Sequence, residues 1–446
     1  MTNLITRIRR HLSDPNSQHR QIALGFLWVG LFVFVGKLAG AAKEMTIAWR
    51  YGVSATVDAY VFVFNLVNWP VSIWFSILTM VLVPLVTRLR SDNAQELPRF
   101  RAELLGLTLL LGLGLGLLAW WGLPVLLRAG WLGLSGSALQ QGLVMAGGMA
   151  LLLPLGTIIS LWSAWLLAAG RHRNTLFEAI PAFTLLLALL LPPGWLPEPL
   201  LWGTVAGFAL HAAALAVPLR TAGELPAPRL VQQSPAWRAF WGGIGVMAVG
   251  QVLTTSTGLI DQFFAAGLGE GALSTLSYAN RVLALVLTLG ATSIFRAILP
   301  VFAVQNERES SALIPLMQRW IVPIAFIGLA ALLASWILAP WGVSILFERG
   351  AFTVQNTQSV TALFRIAALQ IPFYLLVHLF LATLATQKRY KSIAIGNAIN
   401  LLIKLLLISW LIPMYGIYGL VFSTVIMYVV LSIFLYGSIL AKSRNN

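Results

Sequence analysis

Residues 104–127 read LLGLTLLLGLGLGLLAWWGLPVLL, a run without a single charged residue. A helix of this length reaches about 36 Å at about 1.5 Å per residue, enough to cross a hydrocarbon core of about 30 Å. Within lipid, a helix satisfies all of its backbone hydrogen bonds internally, so a long uncharged run is typical of a membrane-spanning helix. The stretch therefore predicts a transmembrane span.

The composition extends this prediction to the whole chain. Of 446 residues, 59% are hydrophobic and only 10% are charged, whereas soluble domains carry about 25% charged residues. The apolar runs predict an all-α polytopic membrane protein without a soluble catalytic domain. Its twelve predicted spans lie near 22–48, 57–86, 104–127, 142–169, 175–192, 199–217, 236–267, 271–303, 316–347, 357–386, 392–413 and 415–440.

Basic residues between the spans alternate in number from one connection to the next. Of the 29 Lys and Arg residues, 20 fall in the termini and in alternate loops, three fall in the opposite loops and six lie inside spans. The positive-inside rule places the basic set in the cytoplasm. The pattern predicts a bacterial inner-membrane protein with both termini cytoplasmic.

The net charge of +15 does not indicate a nucleic-acid partner, because the basic residues are spread over the loops and form no stripe. The chain has no cysteine, which excludes disulfides and thiolate chemistry. It contains no HExxH pattern, no Gly-rich phosphate loop and no Ser/His/Asp constellation. We therefore predict a protein that is not an enzyme and that holds no cofactor or metal.

Short motifs recur in the two halves of the chain. Val35-Gly36-Lys37, Asp58-Ala59-Tyr60 and Val83-Pro84 have counterparts in Val249-Gly250-Gln251, Leu276-Ser277-Tyr278 and Leu299-Pro300. An offset of six spans preserves the topology, so the repeat predicts two parallel six-helix lobes around a central cleft. The predicted segments are a cytoplasmic N-terminal segment (1–21), an N-terminal lobe (22–217), a linker (218–235), a C-terminal lobe (236–440) and a tail (441–446).

Charged residues inside the spans are the candidate functional residues. A charge at the centre of a membrane helix costs about 2.5–3.5 kcal/mol on insertion scales, so it normally contacts a cavity or a partner. The predicted substrate-binding residues are Lys37, Lys43, Glu44, Asp58, Asp261, Arg281 and Arg296. We expect the three acidic side chains to pair with the cations when the site is empty. Lys404 and Arg365 have no evident partner in the sequence.

Lys37 and Arg281 lie deepest in their spans, in opposite halves of the chain. Cations at these positions predict a positive central cavity, which suits a phosphate or pyrophosphate group. A cationic drug would instead require an acidic cavity.

Several stretches resemble the MviN/MurJ family of the multidrug/oligosaccharidyl-lipid/polysaccharide (MOP) exporter superfamily. They are Gly36-Lys37-Leu38-Ala39-Gly40-Ala41-Ala42-Lys43-Glu44, Asp58-Ala59-Tyr60, Ser277-Tyr278-Ala279-Asn280-Arg281, Ile298-Leu299-Pro300 and Leu346-Phe347-Glu348-Arg349-Gly350-Ala351-Phe352-Thr353. The resemblance implies a flippase that moves an undecaprenyl-pyrophosphate-linked saccharide from the cytoplasmic to the periplasmic leaflet by alternating access. It also implies that Lys37, Lys43 and Arg281 correspond to cavity arginines of the family and Asp58 to its aspartate in span 2.

The chain departs from the family pattern in three ways. The paired arginines of span 2 fall here near Pro70 and Val71, lysine replaces arginine at Lys37 and Lys43, and we expect twelve spans where the family's lipid II flippases have fourteen. Lysine is a point charge without the bidentate fork of arginine. These departures favour an exopolysaccharide, capsule or O-antigen repeat unit over peptidoglycan lipid II. We expect a monomer in the bilayer, with a coupling ion as an open alternative for the energy source.

Other functions remain as alternatives at this point. A drug/cation antiporter of the same superfamily would need one or two essential carboxylates in an acidic cavity. A membrane glycosyltransferase or ligase would need catalytic residues on a sizeable periplasmic loop, which the predicted map does not contain. A receptor or scaffold would leave the buried charges unexplained.

The charge distribution makes the topology testable. Reporter fusions after Asn446 and within 218–235 should both report a cytoplasmic location, because both positions lie in the basic set of loops. A periplasmic signal at either position would contradict the predicted map.

Overall fold

The structure, a computed structural model, describes residues 18–92, 95–170, 174–309 and 312–443. Side chains are described from residue 34 onward within these ranges, except at 174–175, 246–247, 293, 295–296 and 442–443. Throughout these described ranges the regular structure is helical and no strand is formed. The all-α prediction is therefore confirmed.

Sixteen α-helices cover the described ranges, and a π-helical turn, Leu78–Leu82, joins the second and third. The first eight are α1 (Gln18–Tyr51), α2 (Ala55–Ile77), α3 (Val83–Asp92), α4 (Glu96–Arg128), α5 (Gly136–Met149), α6 (Leu152–Ala168), α7 (Asn174–Phe177) and α8 (Ile180–Leu190). The others are α9 (Pro199–Thr221), α10 (Ala236–Ala266), α11 (Ala272–Arg308), α12 (Leu313–Phe347), α13 (Val354–Ala368), α14 (Ile371–Thr386), α15 (Tyr390–Tyr415) and α16 (Ile417–Ser443).

Many of these helices are long and apolar enough to cross a membrane. Among the described residues, seven continuous helices meet this condition, and up to ten spans result if each of three interrupted pairs counts as one. Each of the twelve predicted spans overlaps one of these helices or pairs, or the long α1, or the short apolar α8. The chain is therefore a multi-pass membrane protein, and its span count is close to the predicted twelve.

The helices form two compact units. Of the described residues, those within 18–46, 70–119 and 148–244 belong to unit 1, and those within 47–69, 120–147 and 245–443 belong to unit 2. Segments from the first half of the chain therefore belong to unit 2. The predicted division into lobes 22–217 and 236–440 stays a prediction.

Unit 1 is held by an aromatic core where α4 and α10 meet. The ring centroids of Phe100, Trp237 and Phe240 lie 5.3–5.9 Å apart in edge-to-face arrangements. The guanidinium of Arg101 lies 5.6 Å from the ring of the buried Trp165. Edge-to-face pairs of this kind contribute about 0.5–1.5 kcal/mol beyond the area that they bury.

The Pro-rich linker is fixed to α4 in the same unit. Glu103, only 2% exposed, accepts hydrogen bonds from the backbone N–H groups of Gln233 and Ser234, at 3.1 and 3.0 Å, and from the indole N–H of Trp237 at 2.6 Å. Arg99 pairs with the same carboxylate at 3.2 Å. One buried side chain thus connects the end of the linker to a membrane helix.

Unit 2 contains a sharp bend between α13 and α14. The two helices differ in direction by 42° across a short break, and Pro372 lies at the start of α14. Proline cannot donate the backbone hydrogen bond that would continue the helix across the break. Gly328 of α12 packs directly on Pro372, where a Cβ atom would lie 2.6 Å from the proline Cα.

The Glu103 contacts predict a strong effect of substitution in unit 1. Glu103→Ala should destabilise the protein by about 3 kcal/mol, because four buried or half-buried donors lose one charged acceptor. The measurement is the thermal unfolding midpoint of the purified protein in detergent. Glu307→Ala, at an exposed position of α11, is the control and should stay within about 0.5 kcal/mol of the wild type. Equal midpoints for the two variants would show that this carboxylate does not hold the linker.

Candidate functional site

The predicted site residues are distributed over both units. Lys37, Lys43 and Glu44 lie on α1 in unit 1, whereas Asp58, Asp261 and Arg281 lie in unit 2. The side chain of Arg296 lies outside the described part of the structure. Each residue is therefore described within its own unit.

The three residues of α1 differ in their surroundings. Lys37 is exposed, and Glu178 lies within electrostatic range of its ammonium group. Six residues further along, Lys43 pairs with the neighbouring Glu44, Nζ to Oε1, at 2.7 Å. Glu44 is buried, at 8% exposure. The partner that the structure gives Glu44 is thus the adjacent Lys43, whereas the sequence analysis expected the deeper cations Lys37 and Arg281 to be its partners.

Asp58 lies at the start of α2 and binds the first turn of α11. Its Oδ2 accepts the N–H of Gly271 and its Oδ1 accepts the N–H of Ser274, both at 2.6 Å. The first N–H groups of a helix have no partner within the helix, so a carboxylate placed there satisfies them and interacts favourably with the helix dipole. Asp58 is 2% exposed, and its partner here is a helix N-terminus.

Further contacts join the same region of unit 2. The hydroxyl of Tyr278 donates to the backbone carbonyl of Gly52 at 3.1 Å, and the N–H of Ala351 donates to the carbonyl of Trp49 at 2.8 Å. Gly52 has a φ of +57°, and a Cβ atom there would overlap the carbonyl of Ala351. The end of α1, the start of α2, the start of α11 and the loop before α13 are thereby held together.

Asp261 of α10 forms an ion pair that the sequence did not reveal. The Nζ of Lys404, on α15, lies 2.7 Å from Asp261 Oδ1, and the same ammonium group donates to the hydroxyl of Thr424 on α16. Lys404 is completely buried. The sequence showed no evident partner for Lys404 because the two residues that meet here are 143 positions apart in the chain.

Two arginines complete the set of charges predicted inside the spans. Arg281 is half-buried, and its Nε donates to Ser277 Oγ at 3.4 Å, one turn earlier on α11. Arg365, also without an evident partner in the sequence, stacks 4.6 Å from the ring centroid of Trp336 and donates to its carbonyl at 3.1 Å. Within the described ranges, no three His, Cys, Asp or Glu side chains converge as metal ligands.

Sequence reasoning therefore found the charged residues and missed their partners. Ser274, Gly271 and Thr424 carry no charge, and nothing in their local sequence marks them as ligands of a carboxylate. A signal was available only for Lys404, because a lysine near the middle of an apolar span requires an acidic partner on another helix.

Comparison of the sequence with known proteins finds similarity to one protein family. Residues 47–445 match the family model described as "Lipid II flippase MurJ". A probable lipid II flippase MurJ of Bdellovibrio bacteriovorus is 28% identical over 275 residues, which cover 59% of this chain and 51% of the relative. A protein of the same description from Vibrio cholerae is 24% identical over 356 residues, covering 75% and 66% of the two chains. The chain thus spans about half the length of the first of these relatives.

Solved structures share the fold. A structure described as "Lipid II flippase MurJ, inward closed conformation" aligns with a TM-score of 0.80 at 17% identity, covering 93% of this chain and 87% of that chain. An inward-facing multidrug resistance MATE family transporter of the MOP superfamily aligns with a TM-score of 0.75 at 16% identity, covering 92% and 96%. The membrane architecture is therefore that of the MOP transporters.

The matched range divides the candidate residues. Asp58, Asp261, Arg281 and Arg296 lie within residues 47–445, whereas Lys37, Lys43 and Glu44 precede them. The family match therefore covers the C-terminal candidates and Asp58 but does not reach the cations of α1.

The contact between Asp58 and α11 can be tested by substitution. Asp58→Ala should lower the stability by about 2 kcal/mol, because two N–H groups of α11 lose their acceptor. Asp58→Asn should lose about half as much, since its amide oxygen replaces one of the two acceptors. The measurement is the thermal midpoint in detergent. Thr275→Ala, whose hydroxyl donates to the carbonyl of Gly271 and does not contact Asp58, is the control, and a loss as large as that of Asp58→Ala would contradict the capping role.

Proposed function

This chain belongs to the MurJ family, and from that membership we propose that it is a flippase for an undecaprenyl-pyrophosphate-linked saccharide. The proposed direction is from the cytoplasmic to the periplasmic leaflet of the inner membrane. The observation that carries the proposal is the family match over residues 47–445, nearly the whole described chain. Family membership and the many apolar helices make the chain a multi-pass inner-membrane protein.

The proposed substrate contacts are cationic. Lys37 is an exposed ammonium group on a membrane helix, and Arg281 is a half-buried guanidinium on α11. A guanidinium can bind a phosphate in bidentate fashion, and an ammonium binds it as a point charge. We assign the pyrophosphate to these two side chains, with Lys43 and Arg296 as further proposed contacts. The saccharide would occupy water and the prenyl tail would remain in lipid.

The acidic candidates have a different part in this proposal. Asp58 caps α11, Asp261 pairs with Lys404 and Glu44 pairs with Lys43. An unpaired carboxylate beside a pyrophosphate would repel it. A lysine or a helix N-terminus bound to the carboxylate offsets its negative charge and so reduces this repulsion. In the proposed transport cycle, Asp58, Asp261 and Glu44 position helices and neighbouring cations.

Lipid II is the first substrate to test, because the relatives carry that name. The alternative is a repeat unit of an exopolysaccharide, capsule or O-antigen. It is favoured by the two departures from the family pattern, namely the apolar residues at 70 and 71 and the lysines of α1. Both substrates carry the same pyrophosphate, so the cationic contacts do not distinguish them. We propose alternating access as the mechanism, with a monomer as the transporting unit. The membrane potential could drive it, since one charge crossing 100 mV corresponds to about 2.3 kcal/mol.

A drug/cation antiporter is the second candidate, since a MATE transporter shares the fold with a TM-score of 0.75. Such a protein needs a carboxylate that is available to the drug or the coupling cation. Here the described carboxylates predicted for the site already bind a lysine or a helix N-terminus. The contacts therefore favour the anionic lipid over the cationic drug.

Complementation of a strain depleted of its own lipid II flippase tests the proposal. The wild-type chain should restore growth, and the double variant Lys37→Ala, Arg281→Ala should not, because the pyrophosphate loses both charges. Arg281→Lys should retain part of the activity, since the charge remains and the fork is lost.

Expression of each variant is checked by immunoblot, and Arg319→Ala, at an exposed position of α12, serves as the control with wild-type activity. Growth supported by a well-expressed double variant would remove these residues from the substrate site. A wild-type chain that restores polysaccharide export but not peptidoglycan synthesis would identify the repeat unit as substrate.

A further inference from the structure

Lys404 is the most unusual charge in unit 2. It lies 14 residues from the start and 11 residues from the end of the 26-residue α15, and its side chain is 0% exposed. A lysine this far from either end of a membrane helix cannot reach the lipid headgroups with its ammonium group. The protein itself must therefore supply the partner of this charge.

The partners come from two other helices. Asp261 of α10 provides a carboxylate oxygen at 2.7 Å, and Thr424 of α16 provides a hydroxyl. The Asp261 side chain keeps 17% of its exposure and lines a cavity of about 220 Å³. Asn280, Gln370 and Thr424 also line this cavity, among apolar side chains. The ammonium group thus connects three helices beside a cavity that is mostly apolar and carries a few polar side chains.

The same cavity wall carries side-chain oxygen atoms of Asp261, Thr424, Asn280 and Gln370. A carboxylate, a hydroxyl and amide oxygens form the kind of ligand set that hard cations prefer. Among these groups Asp261 requires a positive charge, because an isolated carboxylate inside a membrane is very costly.

We propose that the ammonium group of Lys404 is a built-in cation, which takes the position that a monovalent cation from solution would otherwise occupy beside Asp261. The protein thereby neutralises Asp261 without taking up sodium or potassium at this cavity. Removal of the lysine side chain would expose a latent sodium site at Asp261 and Thr424, the two side chains that now contact the ammonium group. This inference does not depend on which molecule the protein transports.

The net charge of the Lys404–Asp261 pair argues against two other ligands in this cavity. Lys404 and Asp261 together carry no net charge, so the cavity does not attract a phosphate or pyrophosphate group. It does not attract a second cation either, because the ammonium group repels it at contact distance. Lys404 is therefore separate from the cations proposed for the substrate.

Thermal unfolding of the purified protein in detergent tests this inference, with NaCl, KCl and choline chloride compared at equal ionic strength. The Tm of the wild type should be the same in sodium and in choline. Lys404→Ala should have a lower Tm in choline, and NaCl should raise that Tm by about 2 °C or more, increasing with concentration. Radioactive sodium should bind saturably to Lys404→Ala and not to the wild type.

The double variant Lys404→Ala, Asp261→Asn is the matched control. It has the same space as the single variant but no carboxylate, so its Tm should not respond specifically to sodium. If the double variant folds and the single variant is recovered only in sodium, the neutralising role is supported.

Three results would overturn the inference. They are saturable sodium binding by the wild type, a Tm of Lys404→Ala in choline equal to that of the wild type, and a sodium response that persists in the double variant. Failure of both variants to fold in every salt would also overturn it, since packing rather than charge would then explain the pair. A failed complementation by the wild-type chain, in contrast, would bear only on the proposed transport function.

Discussion

A charge inside a lipid bilayer must find its partner within the protein, and this constraint organises the structure around its few ionisable residues. Only 10% of the chain is charged, so each such residue within a span has to be accounted for individually. In unit 2, Asp58 and Asp261 solve the same problem in two ways. Asp58 uses the unpaired N–H groups of a helix start, and Asp261 uses a lysine from another helix.

These two solutions have different mechanical consequences. A helix N-terminus offers several N–H donors in a fixed direction, so Asp58 fixes the start of α2 against the start of α11 in both position and angle. An ammonium group on a four-carbon chain tolerates more movement, so Lys404 can keep its contact with Asp261 while α15 shifts slightly. Helices held by the first kind of contact separate only when the contact breaks, whereas those held by the second can adjust.

Most of the fold could be predicted from the sequence, because a membrane span leaves a signal in one dimension. Long uncharged runs such as 104–127 locate helices directly, and each predicted span overlaps a helix of the structure. Less could be predicted where local geometry departs from a single continuous helix. The π-helical turn Leu78–Leu82 and the short α8 are examples, because no proline or charge in the sequence marks the turn and the apolar run of α8 is too short to locate a span by itself. The same limit applied to the site, since the charged residues were visible in the sequence and their partners Ser274 and Thr424 were not.

The distribution of partners also separates two uses of basic residues in one chain. A cation that binds a carboxylate at 2.7 Å in a closed interior, as Lys404 does, serves the structure, because giving up that partner would leave a buried charge at a cost of about 3–5 kcal/mol. A cation that is exposed, as Lys37 is, can bind a phosphate without leaving a buried carboxylate unpaired. Depth in the membrane alone therefore does not identify a substrate ligand, because Lys404 is more buried than Lys37. What distinguishes a substrate ligand is the strength of the contact that the substrate has to replace, and by this criterion Lys404 is excluded while the exposed Lys37 agrees with its proposed role.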